Sequence, residues 1–234
     1  MKSENVIEKI NNSALDEYPF KHIVIENLIE ATELEELKKD VSELEKLQTF
    51  RSYESEYGIK KEWKHFPENL QTLKSFLNLV QGKEIINALV AKFGLDSSIS
   101  IMADESYDGG GYVISPPGSF LGYHADFNFS SSVSKYRILN VLFYFNENYI
   151  SDNGGQLHLL DADSKTVEKA LNPKINTFLA FLTDDISYHG VSKNHLNFYR
   201  RSFNLYFYAD KPLSTNQSVN PHKTLWISPE DHNH

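Results

Sequence analysis

"RILNVLFYFN", residues 137–146, is the stretch whose reading decides the fold. From Ile138 onward its side chains alternate. Ile138, Asn140, Leu142 and Tyr144 fall on one face, and Leu139, Val141, Phe143 and Phe145 on the other. "RRSFNLYFYAD", residues 200–210, has the same asymmetry. Arg200, Ser202, Asn204, Tyr206 and Tyr208 share a face, and Arg201, Phe203, Leu205 and Phe207 share the opposite one. Each run is a strand with one nearly all-apolar face, which must pack on something dry. The other face mixes polar and aromatic groups, and it either lines a polar cavity or meets water.

The neighbouring sequence extends this pattern. "GGQLHLLD" (154–161) and "NTFLAFLT" (176–183) are further short strand-like runs, separated by Gly, Asn, Asp, Ser and Pro. Many short strands after about residue 98 predict a β-sandwich or jelly roll. Before that point the period is closer to 3.6. Leu34, Leu37, Val41, Leu44 and Leu47 recur at helical intervals behind Thr32 and Glu35 in capping-box spacing. Leu70 to Val80 and Ile85 to Phe93 continue the pattern, with Gly94 as a C-cap. One early exception, "FKHIVIENL" (20–28), reads as a strand. The expected fold class is mainly β with N-terminal helices (α+β), in a single domain over 1–234. Residues 1–97 form a mainly helical support, 98–212 a jelly-roll core and 213–234 a polar tail anchored at Leu225, Trp226 and Ile227.

Composition narrows the function. A net charge of −9 without a basic run argues against a nucleic-acid surface or an anionic membrane as partner. With no cysteine, disulfides, thiolate metal sites and Cys nucleophiles are excluded. No apolar run approaches membrane-spanning length and the N-terminal stretch lacks a signal-like core, so a soluble cytoplasmic protein is expected. "DGGGYV" lacks the Gly-Lys-Ser/Thr of a phosphate loop, and "PPGSFLG" is not a nucleophile elbow.

"LGYHADFNFS", residues 121–130, holds His124 and Asp126. Nine histidines and thirteen aspartates make one such pair unremarkable, since chance supplies about half of one. Its weight comes from residues further along the chain. On a strand the two side chains point the same way, and His189 in "SYHGVS" can supply a third ligand. Two imidazoles and one carboxylate on one side of an ion leave three open positions, which suits non-haem Fe(II). Arg200 and Ser202, eleven and thirteen residues beyond His189, can grip a carboxylate through charge-assisted hydrogen bonds, with Tyr144 as a third donor. Arg201 has the apolar-face parity, but a β-bulge would reverse it, so either arginine can be the anchor. His22, His65, His195 and His222 have no partner spacing, and His232 and His234 suit only adventitious metal binding.

The ordered set H-x-D, G-G-x-L, a distal His and R-x-S resembles the Fe(II)/2-oxoglutarate-dependent oxygenases of the prolyl 4-hydroxylase-like branch. The resemblance runs through "GGGYVISPPGSFLGYHADFN", "YRILNVLFYFNENYISDNGGQLHLLD", "SYHGVS" and "RRSFNLYFY", and faintly through "PFKHIVIENLI". It implies a double-stranded β-helix (jelly roll) with helices packed on one sheet. It implies iron on His124, Asp126 and His189, and 2-oxoglutarate anchored by Arg200 and Tyr144, with Ser202 and Asn140 as weaker contributors and Tyr206 as cavity wall. Dioxygen is the further co-substrate, and ascorbate can serve as an auxiliary reductant. Where many relatives carry an acidic residue after G-G-x-L, this chain has His158. Asp126 marks a hydroxylating type, since halogenating relatives have a small residue there. The implied activity is hydroxylation of an unactivated C–H of a small polar molecule, amino acid or peptidyl residue (proline-like included), with release of succinate and CO2. Its rivals are a non-catalytic jelly-roll binding module and a cupin-like metalloenzyme that does not use 2-oxoglutarate. Substrate contacts are expected from loops at 50–66, 129–136, 148–153 and 190–199, and from the tail.

Overall fold

The computed structural model describes residues 1–195 and 197–228, so His232 and His234 lie outside the described residues. Among the described residues there are four α-helices: α1 (Ser3–Asn12), α2 (Ala31–Lys46), α3 (Gln71–Val80) and α4 (Lys83–Phe93). Three early strands run among them: β1 (His22–Glu26), β2 (Arg51–Ser55) and β3 (Gly58–Trp63). The core then runs β4 (Ile101–Ala103), β5 (Gly111–Ser115), β6 (Leu121–Ala125), β7 (Phe129–Ser130), β8 (Lys135–Tyr144), β9 (Leu157–Leu160) and β10 (Val167–Leu171). It finishes with β11 (Thr177–Leu182), β12 (His189–Val191), β13 (Arg200–Ala209) and β14 (Leu225–Trp226).

These strands form one curled antiparallel sheet. Its order is β1-β11-β8-β13-β5-β3-β6-β12-β9-β10. The first five strands make a major sheet and the last four a minor one. β3 joins them by pairing with β5 and by meeting β6 at Gly58–Leu121. A Cβ on Gly58 would lie 2.6 Å from the Phe120 carbonyl, so only glycine permits that approach. The result is the expected jelly roll.

The two-faced strands explain the layering. Leu139, Val141, Phe143 and Phe145 of the β8 stretch, with Phe203, Leu205 and Phe207 of β13, share one buried core with α1 to α4. Phe76 of α3 wedges between Phe143 and Phe203, with ring centroids 4.6 and 5.7 Å away. The opposite faces point into the roll, where Leu142 and Tyr144 pack with Leu157, Leu159, Leu179, Phe181 and Val191. The mixed face therefore lines an interior cavity.

Two local expectations are corrected. The capping box of α2 is Glu30 and Glu33, not Thr32 and Glu35: the Glu30 N–H donates to the Glu33 carboxylate (3.4 Å) and the helix starts at Ala31. Asn176 fixes that start from a distance, since its side chain bonds both the N–H (3.0 Å) and the C=O (2.8 Å) of Ile29. Residues 50–66 are not a loop but largely a hairpin, β2–β3, because Trp63 is buried and β3 is captured by β5. Its charged alternation hid the strand pattern. Gly94 does end α4 in the left-handed region, with φ +65°.

Candidate metal centre

His124 lies near the end of β6, and Asp126 just beyond it. His189 opens β12, and the antiparallel register sets it directly opposite His124. A pairing between strands 65 residues apart in the chain thus brings the three groups together. One ligand atom from each of His124, Asp126 and His189 lies within 4.8 Å of the others. His124 Nε2 is 3.5 Å from Asp126 Oδ1, and His189 Nε2 is 3.6 Å from Asp126 Oδ2. All three residues are buried.

Backbone carbonyls decide which nitrogens face the centre. His124 Nδ1 meets the Gly122 carbonyl at 2.8 Å and His189 Nδ1 meets the Ser187 carbonyl at 2.9 Å. A carbonyl only accepts, so each Nδ1 carries the proton and each Nε2 offers a lone pair inward. Burial, reinforced by His124, lowers His189 to about 4, so it is neutral at pH 7. Burial alone would raise Asp126. The Arg137 guanidinium, then the imidazoles, outweigh it and hold the carboxyl well below the usual range.

The alternation pattern gives no role to Arg137. Extrapolated from Leu139, it would sit on the helix-facing side. A register shift in the β8–β13 pairing, between Phe207–Leu139 and Tyr208–Arg137, inserts Ile138 as a bulge and turns Arg137 inward. There it is buried, ion-pairs through Nη2 with Asp126 Oδ2 (3.2 Å) and donates from Nε to Asn140 Oδ1 (2.8 Å). Its guanidinium lies 3.5 Å from the Tyr206 ring centroid. Asn140 donates in turn to Asp126 Oδ2 at 2.8 Å. Asn140, assigned in sequence to the 2-oxoglutarate pocket, therefore spends both polar ends on Asp126 and Arg137. The only available signal was a lone arginine entering an apolar run, since a buried charge needs a partner.

Beyond the three ligands the cavity continues toward Arg200. Its walls include Asn140, Leu142, Phe181, Arg200, Asn204 and Tyr206. Arg200 is buried, donating from Nε to the Gly155 carbonyl (2.9 Å) and from Nη1 to Ser202 Oγ (3.1 Å). Ser202 in turn donates its O–H to Asn204 Oδ1 (2.8 Å), which turns its lone pair toward the guanidinium. Arg201 faces the helices, where it pairs with Glu45 at 2.9 Å. No register shift occurs in the β13–β5 pairing from Arg200 to Asn204, so the parity of the two arginines stands.

Two of the buried polar atoms that lack a hydrogen-bond partner among the described residues lie beside each other here: Arg200 Nη2 and Tyr144 Oη. The guanidinium carbon is 5.1 Å from the Tyr144 ring centroid. Burial raises the Tyr144 phenol, with Arg200 opposing it, so the hydroxyl keeps its proton to donate. A cation and a phenol buried side by side match a carboxylate acceptor. The end of 2-oxoglutarate distal to a metal would meet both needs. Of the four loops expected to contact substrate, 50–66 (Tyr53, Gly58, Ile59, Lys60) and 190–199 (Val191) line the cavity, whereas 129–136 and 148–153 do not. Histidine 158 faces away from the ligands and meets the Tyr123 hydroxyl at 2.8 Å.

Comparison with known proteins agrees with this geometry. No curated protein matches the chain in sequence. A prolyl hydroxylase from Trichoplax adhaerens, solved with a hypoxia inducible factor oxygen degradation domain peptide fragment, is 20% identical. The match covers 89% of each chain with a TM-score of 0.61. A prolyl-4-hydroxylase from Pseudomonas putida is 17% identical over 88% of this chain and 97% of its own, with a TM-score of 0.57. A prolyl 4-hydroxylase from Phytophthora capsici is 15% identical over 98% and 71%, with a TM-score of 0.61. At such identities these three speak for the shared fold. Residues 108–208, which carry all three candidate ligands and both buried donors, match the 2OG-Fe(II) oxygenase superfamily. The likeness to that superfamily, whose name specifies Fe(II) and 2-oxoglutarate, is thus carried by residues 108–208, and the chain as a whole has the fold of the prolyl hydroxylases.

Proposed function

We propose that this chain hydroxylates an unactivated C–H of a small polar molecule, a free amino acid or a peptidyl residue such as proline, releasing succinate and CO2. In this reading His124, Asp126 and His189 hold Fe(II), and Arg200 and Tyr144 hold the 5-carboxylate of 2-oxoglutarate, with Ser202 orienting Arg200. The single observation that carries it is Arg200, which lines the same cavity as the three-ligand cluster and keeps Nη2 unpartnered beside the equally unpartnered hydroxyl of Tyr144. A cupin-like metal site without 2-oxoglutarate would have no use for that pair, and a binding module would have no use for three inward ligand atoms. The likeness in fold to a prolyl hydroxylase solved with a peptide keeps a peptidyl substrate within the proposal.

Bound iron supplies the oxidising chemistry; the protein supplies placement and an enclosed cavity. The proton on each Nδ1 keeps both imidazoles turned to one point. Arg137 and Asn140 occupy Asp126 Oδ2 and leave Oδ1 as its freer oxygen. Arg200 fixes the direction in which the diacid lies. Leu142, Leu157, Phe181 and Val191 exclude water around it. The test is a substrate screen that follows 2-oxoglutarate-dependent oxygen uptake and succinate. Iron-dependent succinate formation is expected, abolished by Asp126→Ala and restored at high 2-oxoglutarate in Arg200→Ala. Native-level turnover in both variants would refute the assignment.

A further inference from the structure

Leu225 to Ile227 is a short apolar run in a largely polar tail. β14 pairs with β6, in a register that sets Trp226 opposite His124. β6 thus has His189 of β12 across from His124 on one side and Trp226 of β14 on the other. The His124 ring is held between them, its centroid 4.5 Å from that of His189 and 4.6 Å from that of Trp226. The Ile227 N–H donates to the Tyr123 carbonyl at 2.9 Å, which fastens the strand one residue further along.

Trp226 has a second partner. Tyr57, at the tip of the β2–β3 hairpin, stacks on it at 4.1 Å with 13° between the ring planes. Gly122 makes room for both rings. A Cβ there would already be in van der Waals contact with Tyr57 at 3.4 Å and Trp226 at 3.5 Å. The same glycine donates its N–H to the Tyr57 carbonyl (2.8 Å) and accepts the His124 Nδ1 proton (2.8 Å). Hairpin tip, tail strand and candidate ligand therefore meet at one residue.

We infer that Trp226 is a positioning residue of the metal centre: it holds the His124 imidazole in the orientation that ligation needs, and ties that orientation to the docking of the tail strand and the hairpin tip. The inference rests on the assignment of His124, Asp126 and His189 as metal ligands. Hydrogen-bonding partners of a metal-ligating imidazole typically change metal affinity by about 10- to 100-fold when removed, and a ring that fixes the same orientation by packing is expected at the lower end of that range. Metal binding and docking of residues 222–228 then strengthen one another, because a coupling free energy between two sites is reciprocal.

Anaerobic titration of the full chain with Co(II), read by its visible bands, tests this. Trp226→Ala is expected to bind Co(II) about tenfold or more weakly and with altered bands. Trp226→Phe, which keeps a ring against His124, should bind within about threefold of native, and Tyr57→Ala should weaken binding about threefold. If the native chain binds no Co(II), the ligand assignment fails and takes the inference with it. If the native chain binds and Trp226→Ala matches it in affinity and spectrum, the inference alone is overturned. Should Trp226→Ala fail to fold, hydrogen exchange of the native chain decides. Amides in 222–228 should slow about tenfold with saturating Zn(II), and unchanged rates there would overturn the coupling.

Discussion

At the residue scale, Arg200 and Arg137 are two buried guanidiniums in one cavity region with different roles. Arg200 keeps an unpartnered Nη2, whereas the Nη2 and Nε of Arg137 both serve Asp126 and Asn140. Arg200→Ala should therefore raise the KM for 2-oxoglutarate by about 10- to 100-fold, the equivalent of one or two charge-assisted hydrogen bonds, with little change in metal affinity. Tyr144→Phe should raise it by about 5- to 10-fold, one neutral hydrogen bond. Arg137→Met should leave 2-oxoglutarate binding nearly intact once metal is saturating, yet weaken Co(II) binding about 10- to 100-fold. Equal effects of the Arg137 and Arg200 substitutions on both ligands would contradict this division. The protonation of His189 adds a pH prediction. Its folded value, about 4, lies below the unfolded value near 6.5, so between these limits the unfolded chain binds more protons. Thermal stability of the metal-free protein should fall as pH drops from about 6.5 toward 4, and His189→Gln should flatten that slope.

At the scale of elements, α3 and the β8–β13 pair are coupled through Phe76. It is fully buried against Phe143 and Phe203, whose strand neighbours Tyr144 and Ser202 lie on the opposite, inner face beside Arg200. Phe76→Ala should cost about 3–5 kcal/mol in chemical denaturation. Asn176→Ala should cost about 1–3 kcal/mol by leaving the backbone groups of Ile29 unpaired between β1 and α2. Element type was legible in the sequence where period was strong. Helices with an apolar stripe and strands with one apolar face followed from spacing alone. The β2–β3 hairpin was not legible, because "RSYESEYGIKKEWK" alternates charge with charge and depends on β5 for its pairing. The start of α2 was displaced for a related reason: its fixing contact comes from Asn176, far along the chain.

At the scale of the whole molecule, ligands that bind only the folded state must raise its stability by an amount set by concentration and affinity. Co(II) should raise the Tm of the chain, and 2-oxoglutarate added after Co(II) should raise it again. Arg200→Ala should keep the first increment and lose most of the second, whereas Asp126→Ala should lose both. Differential scanning fluorimetry with and without each ligand checks this. Among the described residues no helix is long and apolar enough to cross a membrane.

Sequence by itself determined the two-faced strands, the helices that cover their apolar side, and the order His124, Asp126, His189, Arg200. Those properties are written in local alternation and in residue type, which a linear chain displays directly. Which arginine enters the cavity, how Arg137 and Asn140 come to hold Asp126, and why Trp226 lies against His124 were decided only in three dimensions. Cross-strand register and the bulge at Ile138 set them, and both arise from hydrogen-bond pairing between segments that no local pattern relates.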